Sequence, residues 1–211
     1  LRGADVIFVP ATRPDSSYAR AIVETYIDPG RQAVVELVCP AYHDRAEVGA
    51  RWVELAEVVC DQIAVGTSGA FICEGDPSLY STWLHLRAGM QQLATGVTLI
   101  TVPGVSSVSA AAALADMPLA AWDERLLVMP AVYSPTGLGA ALDAAETVVL
   151  LKAGGDLERL TDSLTALQYP VRVAMVRRAG RPEECVIREL DAMRAAAGDY
   201  FTTVLVRRTD S

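Results

Sequence analysis

The sequence is poor in histidine, cysteine and positive charge. Only two histidines, His43 and His85, occur in 211 residues. That excludes a zinc site of the usual ligand spacing. A Ser-His-Asp triad is excluded too, because no GxSxG turn is present and neither histidine stands in a catalytic context. The four cysteines, Cys39, Cys60, Cys73 and Cys185, are far apart and form no CxxC, so they read as buried free thiols of a reducing compartment. Lys and Arg total 18 against 26 Asp and Glu, a net charge of −8. Such a chain is ill suited to non-specific contact with nucleic acid or an anionic membrane. No apolar run approaches the ~18 residues of a membrane-spanning helix. Neither GxxxxGK[ST] nor GxGxxG occurs, which disfavours nucleotide phosphate binding. No signal peptide is visible. The chain starts at Leu1 rather than Met, so further N-terminal sequence is expected.

What is present is a regular alternation. Hydrophobic residues make up 52% and charged residues 21%, the balance of a packed globular protein. "ADVIFVP" (Ala4–Pro10) reads as a strand buried on both faces. "SSYARAIVETYI" reads as a helix capped by Ser16 or Ser17, with Ala19, Ile22, Val23 and Tyr26 on one stripe. "AVVELVC" is a second strand, followed by a polar loop around His43–Arg45 and a helix to about Ile63. "GAFICEG" is a third strand and "PSLYSTWLHLRAGMQQL" a helix with Leu79, Trp83, Leu86, Met90 and Leu93 as its apolar seam. "VTLITV" is a fourth strand, leading into the small-residue helix "SSVSAAAALADM". This βα alternation predicts a parallel sheet covered by helices. Pro118, within Met117–Glu124, breaks the pattern, which places a domain boundary at 119/120. Beyond it "RLLVMPA", "TVVLLKA", "VRVAMVRRA", "ECVIREL" and "YFTTVLVRR" read as strands, with helices around Leu138–Glu146 and Asp156–Leu167. A strand-rich ending predicts a mixed sheet.

Two turns stand out. In "CEGDPSLYSTW" (Cys73–Trp83), Asp76 followed by Pro77 is the sequence of a helix start. Gly75 is not needed for capping; it permits positive φ or close approach to a ligand. "VPGVSSVSAAAA" (Val102–Ala113) repeats the design: strand, glycine turn, serine-capped helix. Both turns fall at carboxyl ends of predicted parallel strands, where open α/β sheets bind ligands.

Together "EGDPSLYSTWLHL" and "VPGVSSVSAAAALADMPLA" closely resemble the tetrapyrrole (corrin/porphyrin) methyltransferases, over essentially the whole chain. Glu74 before GDP and "SLYST" after it are most similar to the branch that methylates C20 of precorrin-2. The resemblance implies two α/β domains, the class III methyltransferase fold, with a cleft for S-adenosylmethionine (SAM) between them. It implies that Glu74, Gly75, Asp76, Leu79 and Tyr80 line the cofactor, with Ser106 and Ser107 at the VPG turn and Lys152 and Ala179 at strand ends of the second domain. It also implies a cytoplasmic homodimer, with the helices Ser16–Ile27 and Glu47–Ile63 as candidate surface. The family begins with a strand and a GxGPGDP-like loop that this chain lacks, which reads as truncation.

The implied reaction carries a methyl from a sulfonium to a nucleophilic ring-bridging carbon. It needs alignment rather than a metal. Glu74 reads as counter-charge to the cofactor more than as proton acceptor, and no catalytic base can be assigned. A substrate with many carboxylates needs local cations in an acidic protein; Arg13, Arg87, Arg177, Arg178 and Arg181 are the candidates. The cobalt-containing equivalent of precorrin-2 is an alternative substrate. A ribosomal RNA 2′-O-methyltransferase of the same superfamily is disfavoured by the acidic balance. A SAM-binding scaffold without turnover also stays open.

Overall fold

The computed structural model describes residues 1–39, 45–63, 65–93, 96–130 and 137–209, with side chains of the second stretch from residue 48. His43 and the polar loop around it lie outside the described residues. The chain forms two compact units, Leu1–Gly104 and Val105–Ser211. The boundary expected at 119/120 falls inside the second unit, because the small-residue helix before it packs on the second sheet.

The first unit is built on a three-stranded parallel sheet of order β2-β1-β3, with β1 Val6–Ala11, β2 Ala33–Val38 and β3 Gly69–Phe71. Helix α1 (Tyr18–Val23) joins β1 to β2, and α2 (Arg45–Gln62) carries the chain across β1 to β3. Parallel crossovers are right-handed, so the two connections, running in opposite directions from β1, put α1 and α2 on opposite faces. Val6 and Phe8 of β1 bury against Trp52, Leu55, Ala56 and Val59 of α2 and Trp83, Leu86 and Met90 of α3 (Thr82–Gln92). Gly89 lets the two helices close: a Cβ there would lie 2.7 Å from the Trp52 carbonyl oxygen.

Four sequence expectations change here. The first helix is shorter, ending in a 3-10 turn at Glu24–Tyr26; Ser17 caps it, but Ile22 and Tyr26 are more than half exposed. The third helix starts at Thr82, not at Pro77. Ser81 is its cap, its hydroxyl accepting from Trp83 N, and Tyr80 at φ 51 is left-handed and stops any helix running through it. Leu79 therefore leaves the apolar seam and is exposed. "VTLITV" does not form a strand; Val97 and Leu99 pack on the core while Ile100 and Val102 point outward. The third strand pairs in register only over Gly69–Phe71, with Val6 N donating to Ser68 O before it and Ile72 N to Phe8 O after it.

The second unit carries a five-stranded mixed sheet of order β4-β5-β8-β6-β7. The strands are β4 Leu126–Pro130, β5 Thr147–Leu151, β6 Val171–Arg177, β7 Cys185–Ile187 and β8 Thr202–Arg208. β4 and β5 are parallel; β8 runs antiparallel to both β5 and β6. One face (Val148, Leu150, Val173, Met175, Val204, Val206) packs on α5 (Leu138–Ala144), α6 (Leu157–Thr165) and Met193 of α7 (Leu190–Ala195). The other (Val149, Leu151, Ala174, Val176, Leu205) packs on α4 (Ser107–Ala115). Helix α7 has no counterpart in the sequence reading, which ran a strand through Leu190.

Among the described residues no helix is long and apolar enough to cross a membrane.

Candidate functional site

In the first unit the site is assembled from two loops. β3 ends at Phe71, and the chain runs through Glu74 and Gly75 (φ 72) into a turn closed by Asp76. One Asp76 oxygen, Oδ1, accepts from Ser78 N at 2.8 Å and from the Ser78 hydroxyl. The other, Oδ2, accepts from Gly104 N at 2.9 Å. Asp76 thus ties the GDP loop to the VPG turn instead of capping a helix. These donors, the Ser78 hydroxyl foremost and then the Gly104 amide, hold its carboxyl below the usual range. The two backbones meet so closely that a Cβ on Gly104 would lie 2.3 Å from Gly75 O. Glu74, Leu79 and Tyr80 are exposed around this junction.

In the second unit the geometry follows from the direction of α4. Arg172, near the start of β6, donates to Asp116 O at 2.9 Å, and Arg188 donates to Ala115 O at 3.1 Å. Two guanidiniums thus satisfy carbonyls that the end of a helix leaves open. With its C-terminus at that end, α4 starts beside the carboxyl end of β6. Val108 in its first turn and Ala179 after β6 belong to one apolar cluster. Ser106 is the cap, its hydroxyl accepting from Val108 N at 3.0 Å; Ser107 is the first helical residue.

β5 and β6 both end at this side of the sheet and flank the start of β8. Lys152, directly after β5, is left-handed (φ 57). The structure therefore gathers Ser106, Ser107, Lys152 and Ala179 at one end of the second sheet. Beside them lies the loop Ala197–Phe201, which the sequence reading did not select. Gly154 and Gly198 hold it against the β5 loop: a Cβ on Gly154 would lie 2.2 Å from Asp199 N. Asp199 accepts from Arg178 Nε at 2.6 Å and from Phe201 N at 2.9 Å, and Arg178 N donates to Phe201 O. The Lys152 ammonium stands 4.8 Å over the Tyr200 ring, and the Arg181 guanidinium 4.4 Å over Phe201. The signal for this loop is the Gly-Asp pair just before the last strand, a turn sequence.

The candidate arginines separate into groups. Arg13 follows β1 and Arg87 lies on α3, both exposed in the first unit. Arg178 and Arg181 share the strand-end cluster of the second. Arg177 projects from the opposite face of β6 and donates to Ala197 O; its Nε is buried without an acceptor among the described residues. Among the described residues no group of three or more His, Cys, Asp or Glu could hold a metal ion.

Comparison with known proteins places these features. The family model for tetrapyrrole (corrin/porphyrin) methylases matches residues 1–192. The chain is 32% identical to cobalt-precorrin-2 C(20)-methyltransferase of Salmonella typhimurium, covering 99% of this chain and 87% of that protein. It is 28% identical to precorrin-2 C(20)-methyltransferase of Sinorhizobium sp, covering 98% and 85%. Among solved structures, a cobalt precorrin-4 methyltransferase superposes with a TM-score of 0.64 at 24% identity, covering 98% of this chain and 85% of the other. Uroporphyrin-III C-methyl transferase from Thermus thermophilus, complexed with S-adenosyl homocysteine, gives 0.56 at 15% identity, covering 98% and 87%. These structures share the α/β class III methyltransferase fold with this chain. The chain belongs to the tetrapyrrole (corrin/porphyrin) methylase family.

Proposed function

We propose that the chain is a SAM-dependent C-methyltransferase that methylates C20 of precorrin-2, giving precorrin-3A in cobalamin biosynthesis. The observation that carries this reading is end-to-end similarity to two proteins named for C20 methylation. One of them is named for the cobalt-containing substrate and is the more similar, at 32% against 28%. That difference favours cobalt-precorrin-2 as the second reading.

The residues of the first unit fit the cofactor. The Gly75–Gly104 junction is bare backbone with no room for a side chain, bordered by an exposed carboxylate, Glu74, and by Leu79 and Tyr80. A carboxylate with apolar neighbours suits a cation carrying a thioether-like body. When bound, SAM supplies a methyl already activated by its sulfonium. Gly75 and Asp76 would fix the loop that holds it, and Glu74 would balance its charge. Ser106, Ser107, Lys152 and Ala179 of the second unit are proposed, from the family resemblance, as further cofactor-binding residues. Methyl transfer forms one carbon–carbon bond at C20, breaks the sulfur–methyl bond, and requires C20 to lose a proton. The gain from holding carbon, methyl and sulfur in line is several kcal/mol. Arg13 and Arg87 are proposed, with the cluster of the second unit, to meet ring carboxylates. The reading includes a cytoplasmic homodimer without nucleic-acid or membrane partners.

Incubation with SAM and precorrin-2, followed by mass spectrometry of the product, tests it. A gain of one methyl at C20 is expected. Methylation of the cobalt complex alone selects the second reading, and no methylation of either refutes both.

A further inference from the structure

Lys152 is the only lysine in the sequence; every other basic residue among the Lys and Arg is arginine. It sits at the carboxyl end of β5 in a left-handed conformation that L-residues adopt at a cost. Its backbone borders the proposed cofactor position, but its side chain is carried elsewhere, onto the face of Tyr200. Tyr200 is itself 60% exposed, so this ammonium lies at the surface of the cluster and not beneath it. The neighbouring ring of Phe201 meets Tyr200 edge-on, with centroids 5.4 Å apart, and carries the Arg181 guanidinium on its own face. Two cations from two different strand-end loops are thus seated on adjacent, perpendicular rings.

The loop beneath them is rigid for stated reasons. Gly198 and Gly154 are in backbone contact. Asp199 N donates to Thr202 Oγ1 at 3.0 Å, and the Asp199 carboxylate holds Phe201 N and Arg178. Arg178 is engaged with Asp199 and stands 3.9 Å from Glu183, so its charge is locally balanced and it serves as the anchor. Glu184 accepts from Gly180 N, fixing the Arg181 turn. Seating a flexible cation on a ring removes much of the freedom it would otherwise lose on binding an anion.

We infer that Lys152 and Arg181, held by the Gly198–Phe201 loop, form a subsite for peripheral carboxylates of the tetrapyrrole ring. Asp199 is the positioning residue beneath it. This rests on the proposed function, and it gives the Lys152 side chain to the substrate rather than to the cofactor.

The single lysine makes the test site-specific. Acetylation of Lys152 by an N-hydroxysuccinimide ester is followed by peptide mass spectrometry on the full chain, with uroporphyrin III, a stable ring polycarboxylate, or with S-adenosyl homocysteine. The porphyrin is expected to slow acetylation about ten-fold, and the homocysteine less than two-fold. Arg181→Gln and Tyr200→Leu are each expected to weaken porphyrin binding about ten-fold, the weight of one charge-assisted contact, with homocysteine affinity unchanged. Equal protection by the homocysteine, or porphyrin bound without protecting Lys152, overturns the inference alone. Wild-type porphyrin affinity in both variants does so as well. A wild-type chain that binds no tetrapyrrole, whether porphyrin or precorrin-2, overturns the proposed function and the inference with it.

Discussion

Gly104→Ala is the sharpest probe of the first-unit site. The added Cβ would stand 2.3 Å from Gly75 O, whereas ordinary contacts begin at 3.4 Å. Both partners are backbone, so no side chain can swing away. Relief requires the VPG turn and the GDP loop to separate by about 1 Å. A shift of that size carries Gly104 N out of hydrogen-bond range of Asp76, from 2.9 Å. Overpacking costs about 1–3 kcal/mol; both glycines are exposed, so the lower end applies. For a unit of this size that is a melting shift of roughly 4–8 °C. Misplacing a positioning loop by 1 Å can cost about a hundred-fold in function, so affinity for S-adenosyl homocysteine should fall about ten- to a hundred-fold. Titration calorimetry and thermal denaturation read the two effects. Gly49→Ala is the control. It lies in α2 with nothing among the described residues within 4 Å of its Cβ, and should keep affinity while gaining up to about 1 kcal/mol from helix propensity. A Gly104→Ala protein with wild-type affinity and melting temperature would refute the claim that the two loops form one rigid cradle.

Two further outcomes follow from titrating groups. Burial pushes the Cys39 thiol up to about 11 from 9.0, so at pH 8 iodoacetamide should label it about a hundred-fold more slowly in the folded protein than after unfolding; early labelling of Cys39 in peptide maps would contradict this. The Arg125 guanidinium, then the Arg125 amide, hold Glu146 down to about 2. Because the folded value is depressed, the stabilisation is present above about pH 4.5 and is lost as pH falls toward 2. Glu146→Gln should flatten that acid limb in urea denaturation; identical limbs would show the pair contributes nothing.

The sequence was most legible where burial on both faces writes a continuous apolar run. All five strands of the second sheet are readable as apolar runs, most plainly β5, β6 and β8, whose buried residues fill both faces. "VTLITV" carries the same propensity, but a strand exists only where a partner completes the ladder, and that is a long-range property. Asp76-Pro77 has a capping sequence, yet the left-handed Tyr80 and the Ser81 hydroxyl move the helix start to Thr82, freeing Asp76 to reach Gly104. The two glycine turns were recognised locally, but their contact spans the whole of α3. The Asp199 loop was missed because its value comes from Lys152 and Arg181, brought to it by the sheet from distant parts of the chain.

The place of β8 in the second sheet carries a consequence for synthesis. It is the last strand in sequence and the central one in space, and β5 and β6 have no ladder to each other without it. Until Thr202–Arg208 has left the ribosome, the second unit is two half-sheets with open edges, β4-β5 and β6-β7. Each exposes apolar surface that only β8 covers, so this unit completes its core in one late step, once that strand is available.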